Sequence, residues 1–429
     1  MIRIMNTAET PEEEIFDRGG QTVSPEIEAA VRAIVEDVRA NGDEAVLRYT
    51  RKFDGAAPEQ LRVPEEEIDR AFAAADPAFL DSLRQAAANI SAFHERQKRE
   101  GFRFEGGDGI VLGQRVLPLD TVGVYVPGGT ASYPSTVLMN VIPAKIAGVR
   151  RIVMTTPCGR DGTVPVDILA AARVAGVTDV FRIGGAQAVA ALAYGTESVP
   201  RVDKIVGPGN VYVATAKRMV FGQVDIDMIA GPSEILIVAD RKAEPAWLAA
   251  DMLSQAEHDR MATAVLVCDS RELAERTAEE LERQLSCLPR EEIARTSIEN
   301  NGRIIVAEDL MEGVDIANRL AAEHLELCVE DPFTMLEHVR TAGSVFLGYS
   351  CPEALGDYWA GPNHTLPTSG TARFSSPLSV DEFIKRSSFI CYSHEALGRV
   401  KDDISRLAKH EGLEGHSRSV LVRFGENDA

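Results

Sequence analysis

The stretch TDVFRIGGAQAVAALAYG, residues 178–195, holds the transition that decides the fold class. Val180 to Ile183 form a short apolar run typical of a strand, and Gly184 and Gly185 end it. The alanine-rich sequence from Ala186 onward predicts a helix. A strand that turns directly into a helix is half of a βαβ unit, so the stretch predicts a parallel sheet with right-handed crossovers.

The same alternation recurs along the chain. It begins near Val111 and includes the runs TVGVYVPGG, RRIVMTTP and DKIVGPG, each of which ends in a Gly or Pro turn. A second α/β pattern covers about residues 233–348 and contains EILIVAD and TAVLVCD. We therefore predict an α/β protein with two Rossmann-like parallel-sheet domains. We expect the first to be discontinuous, residues 25–124 plus 233–378, and the second to span residues 125–232.

The two ends of the chain have a different character. Residues 1–24 are acidic and show no periodicity, so we expect an N-terminal arm or a frayed terminus. Residues 25–105 are mostly helical and open with SPEIEAAVRAIVEDVRANG, which has a Ser-Pro start and a Gly stop. The last segment, residues 379–429, is predicted to be a helical C-terminal tail.

Composition limits the functional class. A chain of 429 residues is long for a single core, and no apolar run approaches a membrane span or a secretory signal. The net charge of −21 argues against nucleic acid or an anionic membrane as partner. Six dispersed cysteines without a Cys-x-x-Cys pair suggest reduced thiols in a cytoplasm. Any metal would then be bound by nitrogen and oxygen ligands.

The segment DMLSQAEHDR, residues 251–260, raises the first question about a site. Its helix has an apolar stripe that includes Met252 and Ala256, and Asp251, Gln255 and His258 lie on the opposite face. A solvated polar face explains this pattern. Half of a binding site explains it as well, provided that the missing partners lie elsewhere in the chain.

Polar residues that could be those partners come late in the chain. Glu323 and His324 stand where a helix gives way to a strand, and a carboxylate beside an imidazole is a plausible acid–base couple. A helix C-terminus that favours a cationic His is the alternative. Further candidates lie in a Gly/Pro loop and near the end of the chain: Asp357, His364, His410, Glu411 and His416. The other histidines, His94, His338 and His394, look like helical surface or capping positions. Cys391 and His394 form a possible thiol couple that has no third orienting group.

Glycine-rich turns raise the possibility of a dinucleotide. Backbone N–H groups at Gly184 and Gly185 could meet a pyrophosphate at a helix N-terminus, although the spacing is not G-x-G-x-x-G. Asp203 lies at about the right distance for a ribose contact but precedes its strand. A tight strand-to-helix turn explains the glycines equally well. In IVGPGNVYVATAKR, Asn210 is a helix cap or a ligand contact.

Taken together, the motifs resemble one family. IDMIAGPSEILIVAD, DMLSQAEHD, AAEHLEL, GDYWAGPNHTLPT, ARFSSPLSVDEF and EGLEGHSRSV are similar, in order and spacing, to the histidinol dehydrogenase family. With VGVYVPGGTA and the glycine turns, the resemblance covers nearly the whole chain. It implies a zinc-dependent homodimer that oxidises L-histidinol twice with NAD, through the aldehyde, to L-histidine, the last step of histidine biosynthesis.

The resemblance also implies roles for individual residues. The implied zinc ligands are Gln255, His258, Asp357 and His416. The implied substrate contacts are Ser233, Gln255, His258, Glu323, His324, Asp357, His364, Glu411 and His416. The implied NAD contacts are Tyr125, Gln187 and Asn210. His324 would take the alcohol proton and Glu323 would activate water for the second oxidation.

Three other functions stay open on the sequence. A relative in the same superfamily oxidises a sulfonated diol with much of the same polar set, although ARFSSPLSVDEF and Glu411 favour an amino alcohol. A catalytically silent binding protein would not need Glu323 and His324, and a zinc hydrolase would leave the glycine turns unexplained.

The resemblance further implies that the tail is exchanged between partners and that each active site uses both chains.

Overall fold

The computed structural model describes residues 2–18, 23–55, 58–128 and 132–426. The chain forms two compact units. The first comprises Met1–Lys98 and Leu119–Phe383, and the second comprises Arg99–Pro118 and Ile384–Ala429. Both parallel sheets belong to the first unit. The predicted α/β fold with two parallel sheets is confirmed, whereas the boundaries predicted between two α/β domains stay a prediction.

The larger sheet has six parallel strands in the order β1-β11-β10-β9-β12-β13. Their bounds are β1 Arg3–Asn6, β9 Glu234–Ala239, β10 Thr263–Cys268, β11 Arg303–Val306, β12 His324–Cys328 and β13 Ser344–Leu347. The central strands β9 and β12 are buried at every position, as expected for a parallel sheet covered on both faces. The strand β1 corrects the expectation of a frayed arm, because it pairs in register with β11.

Helices cover both faces of this sheet. On one face α9 (Pro245–Ala256), α10 (Arg271–Leu285) and α11 (Glu291–Asn301) share a core with β9 and β10. On the other face lie α1 (Glu12–Ile15), α12 (Leu310–Leu320) and α13 (Pro332–Leu336). The stripe predicted on α9, which includes Met252 and Ala256, is fully buried. A short helix, α14 (Glu353–Tyr358), follows β13.

The second sheet has five parallel strands in the order β6-β5-β4-β7-β8. Their bounds are β4 Thr121–Tyr125, β5 Arg151–Thr156, β6 Asp179–Arg182, β7 Lys204–Val206 and β8 Asp225–Ile226. The helices that pack around it are α2 Pro25–Phe53, α3 Glu65–Ala74, α4 Pro77–His94, α5 Pro134–Ala147, α6 Val166–Ala175, α7 Gly185–Tyr194 and α8 Val211–Val220. The predicted Gly stop in α2 is a break inside the helix, where Gly42 has φ of 50°.

The second unit is smaller and antiparallel. Its three strands, β2 (Phe102–Gly107), β3 (Ile110–Pro118) and β14 (Ile384–Cys391), run in the order β14-β3-β2. Two helices follow, α15 (His394–His410) and α16 (Glu414–Leu421). Two expectations are corrected here. Val111 lies in an antiparallel strand, so the parallel alternation begins at Thr121, and the tail predicted to be helical contains β14 before its helices.

Candidate active site

An acid–base pair lies at the amino ends of β9 and β12, which are neighbours in the larger sheet. The backbone N–H of Glu234 donates to Oε2 of Glu323 at 2.9 Å, and Nδ1 of His324 donates to the carbonyl oxygen of Glu234 at 3.0 Å. Glu323 is 6% exposed and His324 3%, and His324 begins β12 four residues after α12 ends, so a helix C-terminus does not explain this His. Because a carbonyl can only accept, Nδ1 carries the proton, and Nε2 is left without a partner among the described residues.

The charges around this pair are strongly coupled. Burial raises the pKa of Glu323 to about 8. Burial by itself would lower the pKa of His324, but the negative charges of Glu353, Glu323 and Asp357 outweigh it and raise that pKa well above its usual value. A cation between Glu353 and Asp357 would compete with the imidazole for the same negative charge.

Three donors that could hold a metal ion stand next to His324. Each of three residues offers one ligand atom, and the three atoms lie within 4.8 Å of one another: His258, Glu353 and Asp357. Nε2 of His324 is 3.8 Å from Oε1 of Glu353 and 3.8 Å from Oδ1 of Asp357. Burial acts to raise the pKa of Asp357, but the neighbouring imidazoles of His324, His364 and His258 outweigh it and keep that pKa below its usual value. Asp357 lies in α14, not in the loop where the sequence placed it.

Gln255 supports the same interpretation. It lies at the end of α9, is 0% exposed, and both of its side-chain polar atoms are buried without a partner among the described residues. A solvated polar face is therefore wrong for this residue. An unpaired buried amide costs about 1–3 kcal/mol, which a bound ligand would offset. A nitrogen and oxygen donor set without thiolate fits Zn²⁺. The described residues thus fit the metal that the resemblance implies.

Two residues of this site were missed by sequence reasoning. Oε2 of Glu353 accepts from the Ser254 hydroxyl at 3.0 Å, and the backbone N–H of Glu353 donates to Oε1 of Glu326 at 2.7 Å. Glu326 lies inside the buried strand β12, where burial and the charge of Asp251 raise its pKa well above its usual value. The sequence carried one signal for it, because a carboxylate within the apolar strand HLELC is rarely buried without a partner.

His364 connects the site to the second sheet. Its Nδ1 donates to the carbonyl oxygen of Asp357 at 3.2 Å, and the hydroxyl of Thr136 on α5 lies 3.4 Å from its Nε2. Burial lowers the pKa of His364, which favours the neutral ring. A cavity of about 110 Å³ is lined by His324, Asp357 and His364 together with apolar side chains such as that of Phe346. The polar residues therefore face a space that could admit a small molecule.

The residues implied for NAD lie at the carboxyl ends of the second sheet. Tyr125 ends β4, and its hydroxyl accepts from the backbone N–H of Gly185 at 3.1 Å. Burial raises the pKa of that hydroxyl to about 12. Gln187 on α7 is 1% exposed, and its Oε1 has no partner in the described part of the chain. Asn210 caps α8 and is exposed.

Two further sequence expectations near this end resolve differently. Asp203 accepts from the backbone N–H of Thr121, so its carboxylate has a structural partner. The glycine turn after β4 is described only as far as Gly128, and its continuation at residues 129–131 lies outside the described residues. In open parallel sheets, ligands bind beyond the carboxyl ends of the strands. The residues implied for NAD lie at these ends of the second sheet. The acid–base pair, in contrast, stands at the amino ends of its own sheet.

The remaining candidates divide between the units. Ser233 precedes β9 and belongs to the first unit. Glu411, at the end of α15, and His416, on α16, belong to the second unit and are exposed. His94 is not a surface residue, because it is buried and contacts Gln97 and Asn363. Cys391 is exposed in β14, and the ring of His394 stacks on Phe424.

Comparisons with known proteins agree over nearly the whole chain. A family profile described as Histidinol dehydrogenase matches residues 17–424. The histidinol dehydrogenase of Listeria monocytogenes serotype 4b (strain F2365) is 56% identical over 405 residues, 94% of this chain and 95% of that protein. That of Geobacillus kaustophilus (strain HTA426) is 55% identical over 418 residues, 96% and 99% of the two chains.

A solved structure gives the same result for the fold. The crystal structure of histidinol dehydrogenase from Elizabethkingia anophelis superposes with a TM-score of 0.92 at 36% identity, and covers 100% of this chain and 99% of that chain. Among the described residues, no helix is both long enough and apolar enough to cross a membrane.

Proposed function

Because the chain belongs to the histidinol dehydrogenase family, we propose that it oxidises L-histidinol to L-histidine in two successive NAD-dependent steps, through the aldehyde. This reaction would be the final step of histidine biosynthesis. The observation that carries the proposal is the buried pair Glu323 and His324 beside a cavity and a cluster of nitrogen and oxygen donors. A protein that only bound a nucleotide at its glycine turns would not need this acid–base pair.

The first part of the proposal is a zinc ion in each subunit. Gln255, His258 and Asp357 would hold it, and His416 of the C-terminal tail would be the fourth ligand. When bound, zinc would supply Lewis-acid chemistry and hold the amino alcohol and its imidazole in place. The support is the three-residue donor cluster and the unpaired amide of Gln255. Glu353 lies within the same cluster and adds negative charge that favours a cation.

The acid–base steps follow from hydrogen bonding at His324. The carbonyl of Glu234 fixes the Nδ1 tautomer, so Nε2 is the atom that can take the alcohol proton. Glu323 would then act as the base that activates water for attack on the aldehyde carbonyl. The backbone N–H of Glu234 holds Oε2 of this carboxylate, which leaves Oε1 to the water. The two residues thus divide the work between the alcohol and the aldehyde.

The dinucleotide would bind at the carboxyl ends of the second sheet. Tyr125, Gln187 and Asn210 would contact NAD, which accepts a hydride in each step. The support is the unpaired Oε1 of Gln187 and the helix N-termini that open at Gly185 and Val211. Thr136 and His364 join this sheet to the acid–base pair, so the two ligands would share one region of the first unit.

The substrate would be held by polar side chains. The proposed contacts are Ser233, Gln255, His258, Glu323, His324, Asp357, His364, Glu411 and His416. The ammonium of L-histidinol needs a carboxylate, and Glu411 would provide it. His364 would contact the substrate through Nε2, because the bond from its Nδ1 to the carbonyl oxygen of Asp357 fixes the direction of the ring.

We further propose a cytoplasmic homodimer in which the tail completes the partner's site. The second unit exposes large apolar side chains on its strands and on α15, among them Phe102, Phe104, Ile390 and Leu407. Such side chains are typical of a surface that a second copy covers. All six cysteines are free, as expected in a reducing compartment. This arrangement would bring Glu411 and His416 of one chain to the cavity of the other.

The function is tested by substrate comparison on one protein preparation. Zinc-loaded protein should form NADH with L-histidinol and not with a sulfonated diol of similar size. Chelation should abolish the rate, and added Zn²⁺ should restore it. Equal turnover of both alcohols, or turnover that survives removal of all metal, would contradict the proposal.

A further inference from the structure

An ion pair that has no part in the proposed chemistry is buried beneath the glycine turn after β7. Lys217 on α8 pairs with Asp227, and their side chains are 2% and 1% exposed. Nζ of Lys217 also donates to the carbonyl oxygen of Gly207 at 3.0 Å. The backbone N–H of Gly207 donates to Oδ2 of Asp227 at 2.8 Å. Both backbone polar groups of this glycine are thus bound by the two partners of the ion pair.

Gly207 opens the turn Gly207–Asn210, which leads into α8. Its φ of +110° lies in a region that L side chains rarely adopt, and a Cβ there would lie 2.1 Å from the carbonyl oxygen of Tyr125. The turn therefore packs directly on the backbone of one proposed NAD contact and ends at another, Asn210. A small displacement of Gly207 would move both contacts.

The pair is also attached to the segment that leads from the second sheet to the first. Oδ1 of Asp227 accepts from the backbone N–H of Met228 at 2.6 Å. Three residues after Met228, the N–H of Gly231 donates to the hydroxyl of Thr368 at 2.6 Å. This segment continues to Ser233 and then to Glu234, whose backbone binds Glu323 and His324. Asp227 thus lies at the start of this segment, and the bond to Thr368 holds the later part of the segment.

Stability alone is a weak reason for such a pair, because an apolar pair of similar volume is often equally or more stabilising. We propose that Lys217 and Asp227 are positioning residues that hold the Gly207–Asn210 turn in place for the dinucleotide. This inference rests on the proposed function, since it assumes that NAD binds at that turn. Neither side chain is expected to touch the cofactor.

The decisive variant removes both charges, Lys217→Met with Asp227→Leu. Because no charge is left unpaired, we expect this protein to fold. Its melting temperature should be lower than that of the wild type, because Gly207 loses two hydrogen bonds. The KM for NAD should rise about tenfold or more, as expected when binding groups are displaced by a fraction of an ångström to one ångström. The KM for L-histidinol should stay within about twofold. The turn carries no proposed substrate contact, and the hydrogen bond from Gly231 to Thr368 holds the segment before Ser233 without the ion pair.

A second ion pair of the same sheet provides the matched control. Lys204, buried in β7, pairs with Glu382 and with the exposed carboxylate of Asp225. Lys204→Met with Glu382→Leu likewise replaces a lysine and a paired carboxylate by apolar side chains. This control should leave both KM values unchanged. If Lys217→Met with Asp227→Leu does not fold, the KM for NAD and the KM for L-histidinol are measured for Asp227→Asn instead. This variant keeps the side-chain shape and one acceptor oxygen.

The outcomes separate this inference from the function on which it rests. If the wild-type protein forms no NADH with L-histidinol, the proposed function is wrong. If the wild type is active and the folded variant keeps the wild-type KM for NAD, the positioning role is overturned. A variant in which both KM values rise equally also contradicts it, since that result would indicate a general loss of structure.

Discussion

The backbone of Glu234 binds both members of the acid–base pair, because its N–H donates to Glu323 at 2.9 Å and its carbonyl oxygen accepts from His324 at 3.0 Å. Since both bonds come from one residue of a fully buried strand, the pair is held at a fixed separation. A substitution that keeps the shape of one member should therefore leave the other in place. This property makes the division of labour between the two residues testable.

Glu323→Gln should remove the base for water attack without moving His324. We expect the first oxidation to proceed at close to the normal rate and the second to fall by about 10²–10⁴-fold, the usual contribution of a general base. Rapid quenching and assay of the aldehyde would measure the two steps separately. Equal loss of both oxidations would contradict separate roles for Glu323 and His324.

Gln255→Leu should lower metal affinity without lowering the stability of the metal-free protein. The amide is buried without partners among the described residues, so an apolar side chain of similar size should leave the metal-free protein equally stable or more stable. Metal affinity should fall by about tenfold or more, because a ligand is lost. Metal content after dialysis and the melting temperature of the metal-free protein would check both effects.

Gln85→Leu is the matched control for this substitution. Gln85 lies on an exposed position of α4, so neither metal content nor melting temperature should change by more than a small amount. A purely structural role for Gln255 would give the reverse of the expected pattern, with a lower melting temperature and unchanged metal content.

Shared active sites should be detectable by mixing two inactive chains. His324→Ala removes a residue of the first unit, and His416→Ala removes a residue of the second. If each site uses both chains, a heterodimer of the two variants has one intact site. An equal mixture after subunit exchange should then recover about a quarter of the wild-type rate. Confirmed heterodimers without activity would show that the two residues do not act across chains.

Asp54 should give a pH dependence of stability that is separate from catalysis. Burial raises the pKa of this carboxyl from 3.8 to about 6, and its Oδ2 has no partner among the described residues. The folded protein therefore disfavours the charged form. This contribution to stability is fully present below the unfolded pKa of 3.8 and is lost as the pH rises through about 6.

Asp54→Asn mimics the neutral form and should remove this effect. Its free energy of unfolding, relative to the wild type, should increase between about pH 4 and pH 7 by on the order of 1 kcal/mol or less, because the group is partly solvated. Denaturant unfolding at the two pH values measures it. Asp81→Asn, at an exposed position of α4, is the control and should show no such increase. A constant difference for Asp54→Asn would contradict the buried-charge explanation.

Sequence patterns predicted most of the central parallel strands because these strands are apolar runs that end in Gly or Pro turns or lead into helical stretches. The sequence patterns did not predict strands that lack a local apolar pattern. β1 has only four residues, and its place in the sheet depends on pairing with β11, about 300 positions away. β14 has exposed or half-exposed residues at every position, so no apolar alternation marks it as a strand.

The site was predictable in part for a related reason. The implied metal ligands lie within recognisable sequence motifs. The burial of Gln255, in contrast, depends on the packing of helix α9 against the larger sheet and its neighbouring helices. Glu353 and Glu326 were missed because their importance arises from contacts between β12 and α14 that sequence order does not reveal. The amino-end location of Glu323 and His324 likewise follows from the adjacency of β9 and β12, which are some 90 residues apart.

The most direct test of a two-step oxidation is the number of NADH molecules formed for each substrate molecule. Limiting L-histidinol is added to zinc-loaded protein with excess NAD, and NADH is measured by absorbance until the reaction stops. Two oxidations at one site predict two NADH per L-histidinol, with L-histidine as the product. One NADH per substrate, with aldehyde released into solution, would contradict the central claim.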